Sequence, residues 1–467
     1  MKINYKAIIF AAAALVFAGC KKYVDIKTQG NLVPNQTINY RYLLNNTARF
    51  ENNPNLFDMA SDDINITDAI QVTALAGNLS NFYYVASYTW QPIFYVAGNP
   101  NTENDLSWNT MYATIFTCNT IINELPGSAG TEQEKAALIA EAKVHRADAY
   151  LSLVNAYAKP YNAATAGTDL GLPLLTTQTV SQSLKRASVQ QIYNQIIDDL
   201  TSSIAGLPTA QAYNTLPSKA SAYAELARCY LYMNNYAEAN RYADLALSLR
   251  STLNDLGAIA AVTSANYPRR ISDPEIILSK IGLGTNLLSS APTVLKLSDD
   301  LLGLLGTSDQ RYNLFTVPGS TIGTGYTGRF FFRERAIGET RNVGPSVPEM
   351  MLIKAEYFAR NNDATNAMLW VNRLREKRFR PADYVVLTAA SPADALVKVI
   401  EERRREFFGR MLRWWDMRRL KNEAAFQKTY TRTFNGTTYT LTPNSDRYVF
   451  PIAQSLRNLN PELEPNP

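Results

Sequence analysis

Between Asn45 and Asn109 the chain gathers the side chains that can hold a polyhydroxylated ring. Tyr84, Tyr88 and Trp90 offer flat faces for the C–H side of a pyranose, and Asp62 and Asn101 offer groups that read hydroxyls by hydrogen bonds. These five are the candidate ligand contacts, and their chemistry is capture. Bond-breaking chemistry finds little material. The single histidine, His145, lies in the helical pattern Glu141 to Tyr150 and is read as structural, so His-based triads and His-rich zinc sites lack a second member. No phosphate-cradling glycine loop, nucleophile elbow or spaced cysteine pair is present. No cofactor or metal is expected. Dispersed carboxylates of the glycosidase type leave no spacing signature, which keeps an enzyme as one alternative.

The other reactive position is Cys20. Lys2 and Lys6 precede an apolar run from Ala7 to Ala18, long enough for secretion and too short to span a bilayer. The run ends in Phe17-Ala18-Gly19-Cys20, small residues directly before a cysteine, which resembles the bacterial lipobox although Phe17 is not the usual leucine. Residues 1–19 are therefore read as a lipoprotein signal peptide, Cys20 as the acylated first residue of the mature chain, and 20–35 as a polar tether. An acyl chain anchors a protein to a membrane without spanning it. The net charge of +5 falls to +3 once the two leader lysines are removed, too weak a field for nucleic acid. Cys118 and Cys229 each sit in an apolar helical pattern and read as buried thiols, with a disulfide between them left open.

What must position the candidates is a helical frame. From Ser218 to Leu249, Ala227, Tyr230, Ala239 and Ala246 fall at the small and aromatic positions of a tetratricopeptide repeat, broken at Asn234-Asn235. The same intervals recur at Ala355, Phe358 and Ala367, broken at Asn361-Asn362. A split third unit pairs Glu132 to Tyr157 with Ser188 to Leu207 across an insertion. The expected class is mainly α: repeat-type helices over about 132–250 and 347–420, and loop-rich segments over about 45–109 and 251–345. Phe330 to Phe332 is expected as a short strand. Loops over a rigid scaffold are where ligand contacts tend to lie.

Ala393 to Leu420 reads as one helix with an apolar stripe of Leu396, Ile400, Phe407, Met411 and Trp414, and with Glu406 and Arg410 as an i,i+4 pair. Its Glu402, Glu406 and Asp416 suit bidentate arginine partners, a structural role. The segment resembles the Glu-Arg-Arg…Arg-Trp…Asp-Leu-Arg-Arg pattern of the SusD/RagB family of Bacteroidetes outer-membrane nutrient-binding lipoproteins. Asn372-Arg-Leu-Arg375, the tail Tyr448 to Ile452 with Asn460-Pro461 and Asn466-Pro467, and the blocks 108–123, 146–157, 171–174 and 186–200 are similar to that family as well. One departure stands out: the family often has Glu-Gly where this chain has Arg410-Met411.

The resemblance implies one SusD-like domain over 36–467 on a tetratricopeptide scaffold, a location at the cell outer membrane, and no catalytic residues. It implies a partner, a SusC-like TonB-dependent barrel over which the protein would close as a lid, and a ligand that is an oligo- or polysaccharide. The open alternatives are a peptide-binding RagB-like lid, a repeat scaffold with no transport role, and the glycosidase.

Overall fold

The computed structural model describes residues 34–54, 56–99, 102–262, 267–282, 292–332, 339 and 342–466. The leader, Cys20 and most of the tether lie outside the described residues. Helices dominate. Glu132–Tyr157, the longest, starts on a capping box in which Thr131 and Glu134 satisfy each other's backbone N–H. It packs between Leu106–Glu124 and Val189–Ser203, and the insertion between the last two helices of the split unit folds back as a pair of short strands, Leu170–Pro173 with Arg186–Ser188.

The two repeat frames form as helical hairpins, Lys219–Tyr232 with Tyr236–Leu249 and Val347–Arg360 with Ala364–Arg375. Ala227, Ala239, Ala246, Ala355 and Ala367 are all fully buried, which lets the paired helices approach closely. Tyr230 lies parallel to Tyr242 at 5.6 Å between ring centres. Each double-asparagine break divides its labour. Asn234 and Asn362 take left-handed backbone at φ 59° and 62°, which asparagine tolerates better than most residues. The next residue, Asn235 or Asp363, caps the following helix by accepting from the N–H of Glu238 or Asn366.

The loop-rich segments hold more helix than their composition suggests. Thr47–Phe50, Ala69–Ala76 and Phe82–Tyr88 punctuate the first, and Leu256–Val262, Asp299–Leu305 and Gln310–Phe315 the second. The expected strand is present as Arg329–Phe331, antiparallel to Thr316–Pro318. One hydrophobic core runs through both segments and the repeat helices, so the loops are not a separate layer. Cys118 and Cys229 are buried free thiols.

The arginine-rich C-terminal segment is two helices, Pro392–Phe407 and Leu412–Leu420, not one. Gly409 and Met411 at the break have φ of +65° and +69°. Met411 thus occupies the conformation for which the family's glycine is suited, a cost its buried side chain offsets by packing. The helix stops before Arg410, so the pair is not an i,i+4 helical one; Glu406 binds Arg311 (2.8 Å) and Arg378 (2.9 Å), and Arg410 adds its charge. Glu402 receives Arg311, Arg375 and Arg405, and Asp416 receives Arg403 and Arg419. A Cβ on Gly409 would meet the Phe331 ring at 2.6 Å in a conformation already unfavourable to L side chains. Gly409→Ala should therefore lower stability by roughly 1–3 kcal/mol, read as a shift in the urea midpoint.

Two buried arginines find carbonyls where a carboxylate would be usual. Arg418 donates to the oxygens of Tyr448 (2.7 Å), Asn155 and Ala158. Arg186 donates to Gly171, Tyr157 and Leu170 and reaches Glu464. Asn466 also donates to Tyr157 O at 2.8 Å. These donors close the end of helix Glu132–Tyr157, whose last carbonyls have no partner within the helix and whose dipole favours a cation there.

Candidate functional site

Tyr84, Tyr88 and Trp90 do not form a stacking platform: they are 1%, 1% and 5% exposed and belong to the core. Helix Phe82–Tyr88 sets Tyr84 and Tyr88 one turn apart on its inner face. Trp90 closes that helix in left-handed backbone, φ 52°, while Gln91 N–H donates back to Ala86 O at 2.8 Å. Its indole donates to Ala60 O at 2.9 Å, and the Tyr88 hydroxyl accepts from Ile66 N–H at 2.9 Å. The faces meant for a sugar carry a guanidinium, because Arg432 lies 4.3 Å from both the Tyr88 and Trp90 ring centres. Arg432 also donates to Met59 O, Tyr88 O and Ser61 O. The stacking assignment of these three residues is thus corrected to structural support. Asn101 lies outside the described residues.

Of the four described candidates, Asp62 lines an open cleft, a cavity of about 460 Å³ where the first loop segment meets the C-terminal helices. Arg413 grips its carboxylate with two bonds, 2.7 and 3.0 Å, and Arg404 lies 3.5 Å away while donating to Asp63 at 2.6 Å. Burial pushes both carboxyls up. For Asp62 the two guanidinia win and hold it well below the usual carboxylate range; Asp63 stays raised, since Arg404 does not offset burial together with the neighbouring Asp62 charge. The ion cluster fixes one wall.

Ile400, Leu304 and Leu420 give the cleft an apolar floor. Phe426 is half-buried at its edge, next to Gln427 and Lys428, and Lys428 faces Asp300 across the mouth at 3.4 Å. Tyr430 begins the strand Tyr430–Phe434, paired with Thr437–Leu441. The arrangement offers one accessible aromatic face, an apolar floor and a rim of polar groups, which suits a sugar ring. Sequence reading missed Phe426, Gln427, Lys428 and Tyr430. The alternation in Tyr430–Phe434 could have flagged the hairpin, but only the fold brings it beside Asp62. Among the described residues, no group of three or more His, Cys, Asp or Glu is placed to hold a metal, and no helix is long and apolar enough to cross a membrane.

A SusD-like family model, described as starch-binding and associating with the outer membrane, matches residues 22–231, and a model of the SusD family matches 347–467. No curated protein matches the chain. Among solved structures, a SusD superfamily protein from Bacteroides thetaiotaomicron aligns at 20% identity over 92% of this chain and 100% of its own, with a TM-score of 0.72. A SusD-like carbohydrate binding protein from Bacteroides vulgatus aligns at 18% identity over 92% and 98%, with a TM-score of 0.68. Surface glycan-binding protein A from Bacteroides uniformis aligns at 18% identity over 92% and 99%, with a TM-score of 0.69.

Proposed function

Since the chain belongs to the SusD/RagB family, we propose that it is an outer-membrane lipoprotein that binds a glycan in the Asp62 cleft and hands it to a SusC-like TonB-dependent barrel without transforming it. The observation that carries the reading is the cleft itself: an aromatic edge, an apolar floor and a polar rim on a wall stiffened by the Asp62, Arg404 and Arg413 cluster. The names of the solved relatives, a carbohydrate binding and a glycan-binding protein, support a sugar as ligand. A rigid wall lets binding proceed with little reordering of side chains.

Titration of the purified full chain against a polysaccharide panel tests this. Phe426→Ala should weaken the binding by roughly 1–3 kcal/mol, the worth of a stacked, partly buried ring. Equal affinity of wild type and variant for the bound polysaccharide would remove the cleft from the proposal. Tighter binding of a peptide pool than of any glycan would favour the RagB-like alternative, and reducing-end release from the bound glycan would reinstate the glycosidase. Co-purification with a barrel supports the transport role, whereas association with other lipoproteins and no barrel supports the scaffold.

The anchor is a second part of the proposal. Cys20→Ser should leave the chain with its leader uncut or free of the membrane fraction, read by fractionation and mass of the product. A processed variant that still sediments with membranes would contradict lipid anchoring.

A further inference from the structure

A second and larger cleft, about 580 Å³, opens on another side of helix Leu412–Leu420. Its walls are the insertion from Lys159 to Asp169, the turn at Asn234, the end of that helix, and the segment from Asn444 to Val449. The proposed function does not use it.

Four carboxamides in its lining keep spare hydrogen-bonding capacity. Asn422 and Asn444 are exposed and make no side-chain hydrogen bond among the described residues. Asn162 and Asn234 use only their oxygens, accepting from Ala164 N–H and the Tyr236 hydroxyl, so their amide hydrogens remain available. Four carboxamides around one cleft match a ligand with many hydroxyls.

The charge of the lining is not balanced. Arg419 is engaged by Glu356 and Asp416, and Glu423 by Arg360, so these two lining residues contribute little net field. Lys159 is partnered by Asp169 at 3.0 Å. Arg418, in the floor, donates only to carbonyls, and the Lys421 ammonium donates to Pro443 O at 2.8 Å and lies 5.0 Å from the Tyr448 ring centre. Asp446 is the acid left to face these two cations. Burial first, and then the Arg418 charge, holds the Lys421 ammonium below its ordinary range, with Asp446 opposing and Lys159 adding to the repulsion. An anion entering here would relieve repulsion already built into the wall.

We propose that this cleft is a second ligand site, for a sugar bearing a negative group, a carboxylate or a sulfate ester, with Lys421 and Lys159 taking the charge and the four asparagines the hydroxyls. It shares with the proposed function the reading that the ligand is a glycan, but it uses none of the residues of the Asp62 cleft.

Calorimetry of the purified full chain tests it with three probes: trigalacturonate, its neutral trimethyl ester, and a sulfated carrageenan tetrasaccharide. At least one charged probe should bind about tenfold or more tighter than the ester, as expected for charge-assisted hydrogen bonds, and should weaken as salt rises. Which charged probe prevails tells carboxylate from sulfate. Lys421→Gln should lose most of that preference while unfolding at the wild-type temperature; should it unfold early, the exposed Lys159→Gln serves in its place. Equal binding of acid and ester, or an unaltered preference in both variants, overturns the site. Loss of charged-probe binding in Phe426→Ala but not in Lys421→Gln would place the ligand in the Asp62 cleft, leaving the proposed function standing and this second site refuted.

Discussion

Arg418→Met should destabilise the fold by several kcal/mol, with the urea midpoint lowered and the slope of the transition unchanged. The side chain is 2% exposed, and the oxygens of Tyr448, Asn155 and Ala158 accept from it. Methionine fills much of the volume but satisfies none of those carbonyls, and a buried polar group left without a partner costs about 1–3 kcal/mol. Burial lowers the guanidinium to about 10, so it still carries its charge at neutral pH. Arg418→Lys should rescue only part of the loss, since an ammonium on a different stem does not reproduce the planar fork that spans three acceptors. Arg241→Met is the control: its pair with Glu238 is on the surface, and the change should stay within about 0.5 kcal/mol. A stability for Arg418→Met equal to that of the control would show that the carbonyl caps are dispensable.

The second large effect is a gain. Glu225 is fully buried in the first repeat hairpin, and neither carboxylate oxygen has a hydrogen-bond partner among the described residues. Arg228 is 3.9 Å away, but it is committed to Glu349 through bonds of 2.8 and 2.6 Å. Burial raises the Glu225 carboxyl to about 8, the charges of Asp148 and Glu349 adding to the rise and Arg228 opposing it. The sign follows from proton linkage. Below the ordinary carboxylate range both folded and unfolded states are protonated, and burial carries no ionic penalty. Between there and about pH 8 the unfolded chain gives up the proton and the folded one keeps it, so stability falls as pH rises. Glu225→Gln, neutral at every pH, should match wild type near pH 4.5 and exceed it near pH 8 by an amount on the order of a few kcal/mol. Unfolding free energies of the two proteins that run parallel from pH 4.5 to pH 8 would show that Glu225 is ionised or solvated in the fold.

The repeat frames were legible because their signal is local. Ala227, Ala239 and the double asparagines lie within one hairpin, and their spacing alone requires close helices and a tight turn. The C-terminal pattern was legible as a partner-seeking arginine helix, yet its break was not, since a methionine at Met411 gives no hint of left-handed backbone. The candidate contacts failed for a related reason. A tyrosine reads the same in a core as in a cleft, and what seals Tyr88 and Trp90 is Arg432, more than three hundred positions later in the chain. Asp62 lines a cleft, but the arginines that fix its charge and the phenylalanine beside it all come from beyond residue 400. Loop composition pointed to one wall of the proposed cleft; long-range closure decided which residues face outward.

The carbonyl caps also bear on how the molecule comes apart. The two segments matched separately, 22–231 and 347–467, invite the idea of two modules. The end of helix Glu132–Tyr157 in the first is closed by Arg418 and Asn466 of the second, across 263 and 309 positions. Neither half can melt or be clipped away without stripping donors from the other, so unfolding should be a single all-or-none event, and assembly must wait for contacts between residues far apart in the chain.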